Sequence, residues 1–236
     1  MVAATKGSRR PGPRRALSED EILDATLALL DEGGPNAASI RGIAAKVGVA
    51  PNAVYTYFPD KAAVFKALIE RLLGKVDHGV FADREQPWRQ RVEALALELR
   101  TLLTAHPGRV TVLIGGPMDG PHALALNERL LELLGDAGFS PFDAARAAYL
   151  LTVYVFGSMA LEVADVATPG PLPPESQRIA VRRSVFAATS TEQFPRSAAA
   201  ARVVASYIST EQYIWGLHRV LDGIAGCIAE HPPASG

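Results

Sequence analysis

The chain has one cysteine, Cys227, among 236 residues. It can form no intrachain disulfide and no cysteine metal cluster, a usage that suits a reducing compartment. Its histidines are few, and His106, His122 and His218 fall in no metal-ligand spacing, so neither a metal nor a cofactor is expected. Nucleophile–base pairs and glycine-rich phosphate loops are missing too, which disfavours an enzyme. Long clean apolar runs are lacking. The best stretch, Ala144 to Ala164, is interrupted by Arg146 and Glu162 and reads as a buried helix rather than a bilayer span. The basic N-terminus has no apolar segment behind it and does not read as a secretory signal. A cytoplasmic, nucleoid-associated protein without a membrane partner is the expectation. Strand patterns are also scarce, and the fold class expected is all-α.

A surplus of positive charge is absent as well: the net charge is −1. Its distribution says more than its sum. Residues 1–15 carry Lys6, Arg9, Arg10, Arg14 and Arg15 and no acid. Residues 1–16 read as a flexible basic arm suited to a minor groove or a phosphate backbone.

What is present is a compact block from Ser39 to Lys61. Ile40, Ile43, Ala44 and Val47 make one helical stripe, with Ser39 placed to cap it. Gly48 suits a left-handed helix end, and Pro51 suits the first turn of a new helix. Val49, Ala53 and Val54 can face inward while Pro51, Asn52, Tyr55 and Thr56 look out. Asp60 can cap a further helix. An ordinary helical hairpin would satisfy the periodicity alone. The outward Asn52, Tyr55 and Tyr57 favour a helix-turn-helix that grips DNA. Arg41, Pro51, Asn52 and Ala53 are candidates for base edges, because Asn can pair with adenine and Arg with guanine. Ser39, Tyr55, Tyr57 and Lys61 are candidates for phosphate.

With these residues in view, the chain resembles the TetR family of bacterial transcriptional regulators. The resemblance rests on an amphipathic first helix from Glu19 to Gly34, on Ser39-Ile-Arg41-x-Ile-Ala44-x-x-Val-Gly-Val49, and on Val54-Tyr55-x-Tyr57-Phe58-x-x-Lys61-x-x-Val64-Phe65. Ala50 departs from the Ser or Thr common there. Gly135-Asp-Ala-Gly-Phe139, Phe156-Gly-Ser-Met-Ala-Leu-Glu162 and Tyr213-Ile-Trp-Gly-Leu-His-Arg-Val-Leu-Asp-Gly223 are similar to the C-terminal domain of the tetracycline-repressor branch. In that branch a histidine and a threonine help hold a magnesium–drug complex. Here Leu113 and Gly116 fall at those places, so such a ligand is disfavoured.

The resemblance implies three parts: the arm (1–16), a helix-turn-helix domain (17–60) and a helical ligand-binding and dimerisation domain (61–236) opened by a connecting helix over 61–80. Helices are expected at Trp88–Ala105, Arg109–Ile114, His122–Gly135, Pro141–Val166, Ser176–Ala188, Ser197–Tyr207 and Thr210–Ala229. Repeated prolines make 168–174 a stiff linker. A homodimer should form through Pro141–Val166 and Thr210–Ala229, using small residues (Ala144, Ala148, Gly157, Ala160, Gly216, Gly223, Ala225) and apolar ones (Leu150, Val153, Leu161, Ile214, Leu217, Leu221). Leu102, Leu113, Met118, Tyr149, Tyr154, Phe186 and Trp215 are candidate walls of an effector pocket, with plain core as the competing reading of each. The function implied is a ligand-responsive repressor on palindromic double-stranded operator DNA, released by a small apolar or amphipathic molecule. A DNA-bound regulator without such a ligand and an apolar-ligand carrier remain as alternatives.

Overall fold

The computed structural model describes residues 17–164 and 170–230, and no strand occurs among them. The basic arm and part of the proline-rich linker lie outside the described residues. The first helix, α1 (Glu19–Ala37), starts at a reciprocal cap. The Ser18 hydroxyl accepts from the Glu21 N–H at 3.2 Å, and the Ser18 N–H donates to the Glu21 carboxylate at 3.1 Å. Gly34, at φ 67°, and Pro35 kink its end. Next come α2 (Ile40–Val47), α3 (Pro51–Tyr55) and α4 (Lys61–Leu73). The bundle that follows comprises α5 (Trp88–Thr104), α6 (Pro107–Gly115), α7 (Pro121–Asp136), α8 (Pro141–Ala164), α9 (Glu175–Ala187), α10 (Pro195–Ala199), α11 (Ala201–Ala205) and α12 (Thr210–Glu230).

Two expectations are corrected. The helix expected over 61–80 ends at Leu73, where Gly74 caps it; a 3-10 turn at His78–Phe81 follows, opened by Asp77 accepting from the Gly79 N–H. The helix expected over 197–207 is two short ones, because Ala200 at φ −89°, ψ 0° interrupts the helical ladder.

α8 is, among the described residues, the one helix long and apolar enough to cross a membrane. It packs against α5, α6, α7 and α12, burying Ala144, Ala147, Ala148, Leu151, Val155 and Met159. Its far end carries Glu162, buried between two guanidinium groups. Arg178 of α9 reaches it at 2.7 Å and Arg100 of α5 at 3.0 Å. Glu175 accepts from the Thr210 hydroxyl at 2.7 Å and its N–H at 2.9 Å. Burial opposes ionisation of Glu175, but the Thr210 hydrogen bonds and the two nearby arginines hold its carboxyl below the usual carboxylate range. This polar knot fastens α9 to the bundle, since α9 buries little else (Arg178 only).

The helix-turn-helix is seated by close backbone approach. A Cβ on Gly108, at the start of α6, would lie 2.6 Å from the Leu30 carbonyl oxygen of α1. His106 adds a 2.7 Å contact from Nδ1 to the Asp31 carboxylate.

Two stability outcomes follow. Gly108→Ala must push α6 off α1, and equilibrium urea unfolding should show a loss of about 1–3 kcal/mol; Gly135→Ala, where an added Cβ meets nothing, should lose nothing. Glu162→Gln leaves the buried Arg178 without its ion-pair partner and Arg100 with Glu175 alone, at 3.6 Å, and the same assay should register a loss of about 3 kcal/mol.

Candidate functional site

The helix-turn-helix is assembled as its residues demand. The Ser39 hydroxyl accepts from the Gly42 N–H at 3.0 Å, which starts α2 and leaves the hydroxyl hydrogen available to an outside acceptor. Gly48 takes φ 82°, a left-handed conformation in which its N–H reaches the Ala44 carbonyl at 2.9 Å. Ala50 precedes α3 with no side-chain cap, as its methyl group requires. Val54 and Phe58 are buried and hold α3 to the domain. Arg41, Pro51, Asn52, Tyr55 and Thr56 are exposed, and Ala53 is half-buried. α2 packs on α3, and the exposed set runs from the start of α2 (Arg41) along α3 from its first residues (Pro51, Asn52) to its end (Tyr55, Thr56).

Two candidates for phosphate have intramolecular duties. The Tyr57 hydroxyl donates to the Leu17 carbonyl oxygen, so it pins the residue that follows the basic arm in sequence. The Lys61 ammonium donates to the Pro35 carbonyl oxygen at 2.7 Å and lies 4.8 Å from the Phe65 ring centre. No sequence pattern signals either contact, because each depends on how the start or the kinked end of α1 returns to the domain. Residues 17–60 hold only two cations, Arg41 and Lys46, against seven acids. Lys46 pairs with Glu32 at 2.5 Å, leaving Arg41 as the cation of the exposed surface.

A cavity of about 350 Å³ opens between α5, α7 and α8. Val92, Leu95 and Leu99 of α5, Leu126 and Leu130 of α7, and Val155 and Phe156 of α8 form its walls. Met118 and Tyr149 are also there, as are Asn127, Thr152 and Leu73, the last residue of α4. The other sequence candidates lie elsewhere. Leu113 is fully buried core. Leu102 packs half-buried against the core, and Phe186 lies under the Arg182 guanidinium at 5.2 Å. Tyr154 and Trp215 border a separate open groove between α8, α12 and the α9–α11 segment. Periodicity finds a helix's apolar stripe but does not divide it between core and cavity. Val92, Leu95 and Leu99 therefore read in the sequence as a stripe and no more.

The helices expected to pair two subunits show a split surface. Ala144, Ala148, Leu217 and Leu221 are consumed inside the chain. Gly216 is too, because the Tyr154 hydroxyl occupies the place a Cβ would need. Tyr154 donates there to the Tyr213 carbonyl at 2.7 Å, and burial pushes its phenol pKa up. Leu150, Val153, Gly157, Leu161 and Gly223 remain exposed. So do Phe142, Tyr149 and Trp215 at 68%, 72% and 59% of their full accessibility.

An exposed helix-turn-helix carried on an all-α domain with its own cavity defines a class: regulators that bind DNA. Comparison with known proteins makes the class specific. Residues 22–68 match the family model described as bacterial regulatory proteins, tetR family, and residues 81–228 match the tetracyclin repressor-like C-terminal domain. The chain belongs to the TetR family of transcriptional regulators. It is 30% identical over 146 residues to an HTH-type transcriptional regulator of Saccharopolyspora erythraea, a match covering 62% of this chain and 61% of that one. It is 28% identical over 152 residues to the HTH-type transcriptional repressor DrrR1 of Streptomyces coeruleorubidus, covering 64% of this chain and 56% of the relative. The chain thus matches less than two thirds of the length of either relative. A crystal structure of a possible TetR family transcriptional regulator from Streptomyces coelicolor A3(2) superposes with a TM-score of 0.77 at 29% identity, over 89% of this chain and 99% of that one.

The Tyr57 contact makes a separable outcome. Tyr57→Phe removes one hydrogen bond and should cost about 1 kcal/mol of unfolding free energy. Because that bond also fixes the residue from which the arm extends, DNA affinity measured by anisotropy should fall further than it does for Tyr55→Phe.

Proposed function

We propose that this chain is a homodimeric repressor that holds a palindromic operator and lets go when a small molecule enters the cavity between α5, α7 and α8. The observation that carries the proposal is the position of Leu73. It lines the cavity as the final residue of α4, and α4 begins at Lys61, directly after the recognition segment. A 13-residue helix is a lever about 20 Å long. Its first residue is tied to Pro35 of the DNA-binding domain, and its last touches the ligand space. Met118, which follows α6, touches the same space, and α6 is the element seated on α1.

Two further features support the reading. The large apolar side chains that α8 exposes (Phe142, Tyr149, Leu150, Val153, Leu161), with Trp215 of α12, are ones a second copy would cover. Two recognition helices could then address half-sites roughly 34–36 Å apart. In DNA contact, Arg41, Asn52 and the start of α3 (Pro51, Ala53) face base edges, while Ser39 and Tyr55 hold phosphate. Tyr57 and Lys61 act mainly by fixing their neighbours, with Lys61 keeping two hydrogens for phosphate. The arm supplies the cations that residues 17–60 lack. A switch from 99% to 1% DNA-competent protein requires about 5.5 kcal/mol of differential ligand affinity, shared between two sites in a dimer. The reading places the protein in the cytoplasm, on the nucleoid.

The test is anisotropy binding to DNA flanking the protein's own gene, at several salt concentrations, against scrambled DNA. Selective binding with a steep salt slope is expected. Arg41→Ala and Asn52→Ala should each lose about 1–3 kcal/mol of base discrimination. Deleting residues 1–16 should flatten the slope by about 0.9 for each phosphate the arm neutralises. Equal, weak binding to both DNAs would overturn the proposal.

A further inference from the structure

The cavity between α5, α7 and α8 has a chemical character that narrows what can enter. Among the described residues that line it, none is an acid, a lysine, an arginine or a histidine. Its polar groups are the Asn127 amide and the hydroxyls of Tyr149 and Thr152. The Thr152 hydroxyl donates to the Ala148 carbonyl at 2.9 Å, so toward the cavity its oxygen is an acceptor and needs a donor from the ligand. Its volume of about 350 Å³ is at the small end of the roughly 300–1,000 Å³ usual for such sites.

These walls cannot compensate a buried charge. An ion stripped of water among leucines and valines, with no opposite charge beside it, is held far more weakly than its neutral counterpart. The buried Arg100–Glu162–Arg178 cluster does not help, because none of its three side chains lines the cavity. A magnesium–drug complex also does not fit. The residues that line the cavity offer no carboxylate, imidazole or thiol that could hold a metal ion.

Taking the effector reading above as its basis, we propose that the ligand of this cavity is an uncharged, metal-free, mostly apolar molecule of about two or three rings, anchored by a hydrogen-bond donor on the Thr152 oxygen. Charge is the discriminating property. Asn127, exposed at the cavity mouth on α7, is the position from which that preference can be changed without touching the core.

N-phenyl-1-naphthylamine and 1-anilinonaphthalene-8-sulfonate test this directly. Both carry the same rings, and only the second bears an anionic sulfonate. Its peri sulfonate also takes the N–H internally. The pair N-phenyl-2-naphthylamine and 2-anilinonaphthalene-6-sulfonate, in which the N–H stays free in both, is therefore titrated beside it and decides the effect of charge. Fluorescence titration of the full chain should show the neutral dye binding about tenfold tighter than the sulfonate, or more. Thr152→Val should weaken the neutral dye several-fold. Asn127→Lys should raise sulfonate affinity and shrink the preference by several-fold, which places the dye in the cavity rather than on the exposed α8 face. Equal or tighter binding of the sulfonate, or a preference indifferent to Asn127→Lys, would overturn the proposal. Operator affinity is read in parallel. Operator release by the sulfonate alone counts against the ligand class and leaves the effector reading standing. Charge-selective cavity binding that never alters DNA affinity, with these dyes or larger neutral compounds, counts against the effector reading and leaves the ligand class standing.

Discussion

The contact on which the rest of the molecule depends is the approach of α6 to α1 at Gly108. A missing side chain there lets the start of α6 lie directly against the Leu30 carbonyl. Everything downstream inherits that seat. His106, two residues earlier, meets Asp31 beside this contact. The seat also explains why the DNA-binding domain, whose own core is small, is not a loosely tethered module. Ile22, Leu30, Ile43 and Val54 belong to one continuous apolar core with Leu68, Ile69 and Leu113. Continuity of packing is a physical route by which an event in the bundle is felt at the recognition surface.

Electrostatics divides the labour in the DNA-binding domain unevenly. Residues 17–60 are acidic in sum, and Arg41 is the one cation there without a carboxylate partner. Long-range steering toward DNA cannot come from such a surface. Any phosphate contact made by residues 17–60 therefore has to come from neutral hydrogen-bond donors and the single unpaired Arg41, not from a surplus of positive charge. The five cations among residues 1–15 are the nearest supply in sequence. Tyr57 connects the two, because its hydroxyl holds Leu17, the residue after the arm, against the end of the recognition segment.

Much of this was legible in the residues, for reasons that are local. Ser39, Gly48, Pro51 and Asp60 each do what their chemistry dictates within a few residues of themselves, so caps and turns can be read directly. The apolar stripes of α1, α2 and α5 are legible for the same reason. What was not legible depends on partners distant in sequence. Lys61 meets Pro35, Tyr57 meets Leu17, and Arg100 meets Glu162. Gly216 reads in the sequence as a site of approach between subunits, but it makes room for Tyr154 of the same chain. The cavity is the hardest part to read. Leu113 and Leu99 are equally apolar, yet one is packed solid and the other lines free space. That difference is set by the separation of α5, α7 and α8 rather than by either residue.

The two ends of α8 are built on opposite principles. Near Glu162 the helix is held by charge, with guanidiniums from α5 and α9 converging on one carboxylate. Near Tyr149 and Thr152 it borders a space whose described lining carries no charge. Buried ion pairs resist rearrangement, since separating one partner exposes the other to an environment that cannot solvate it. Apolar contacts carry no such directional demand and can slide or separate at a cost proportional to area. A helix pinned by charge at one end and bounded by yielding apolar contacts at the other has its compliance confined to the cavity end. That end is where Leu73 and Met118 line the cavity, so the contacts free to shift are those that lead to α4 and α6, while the α9 attachment lies at the other end.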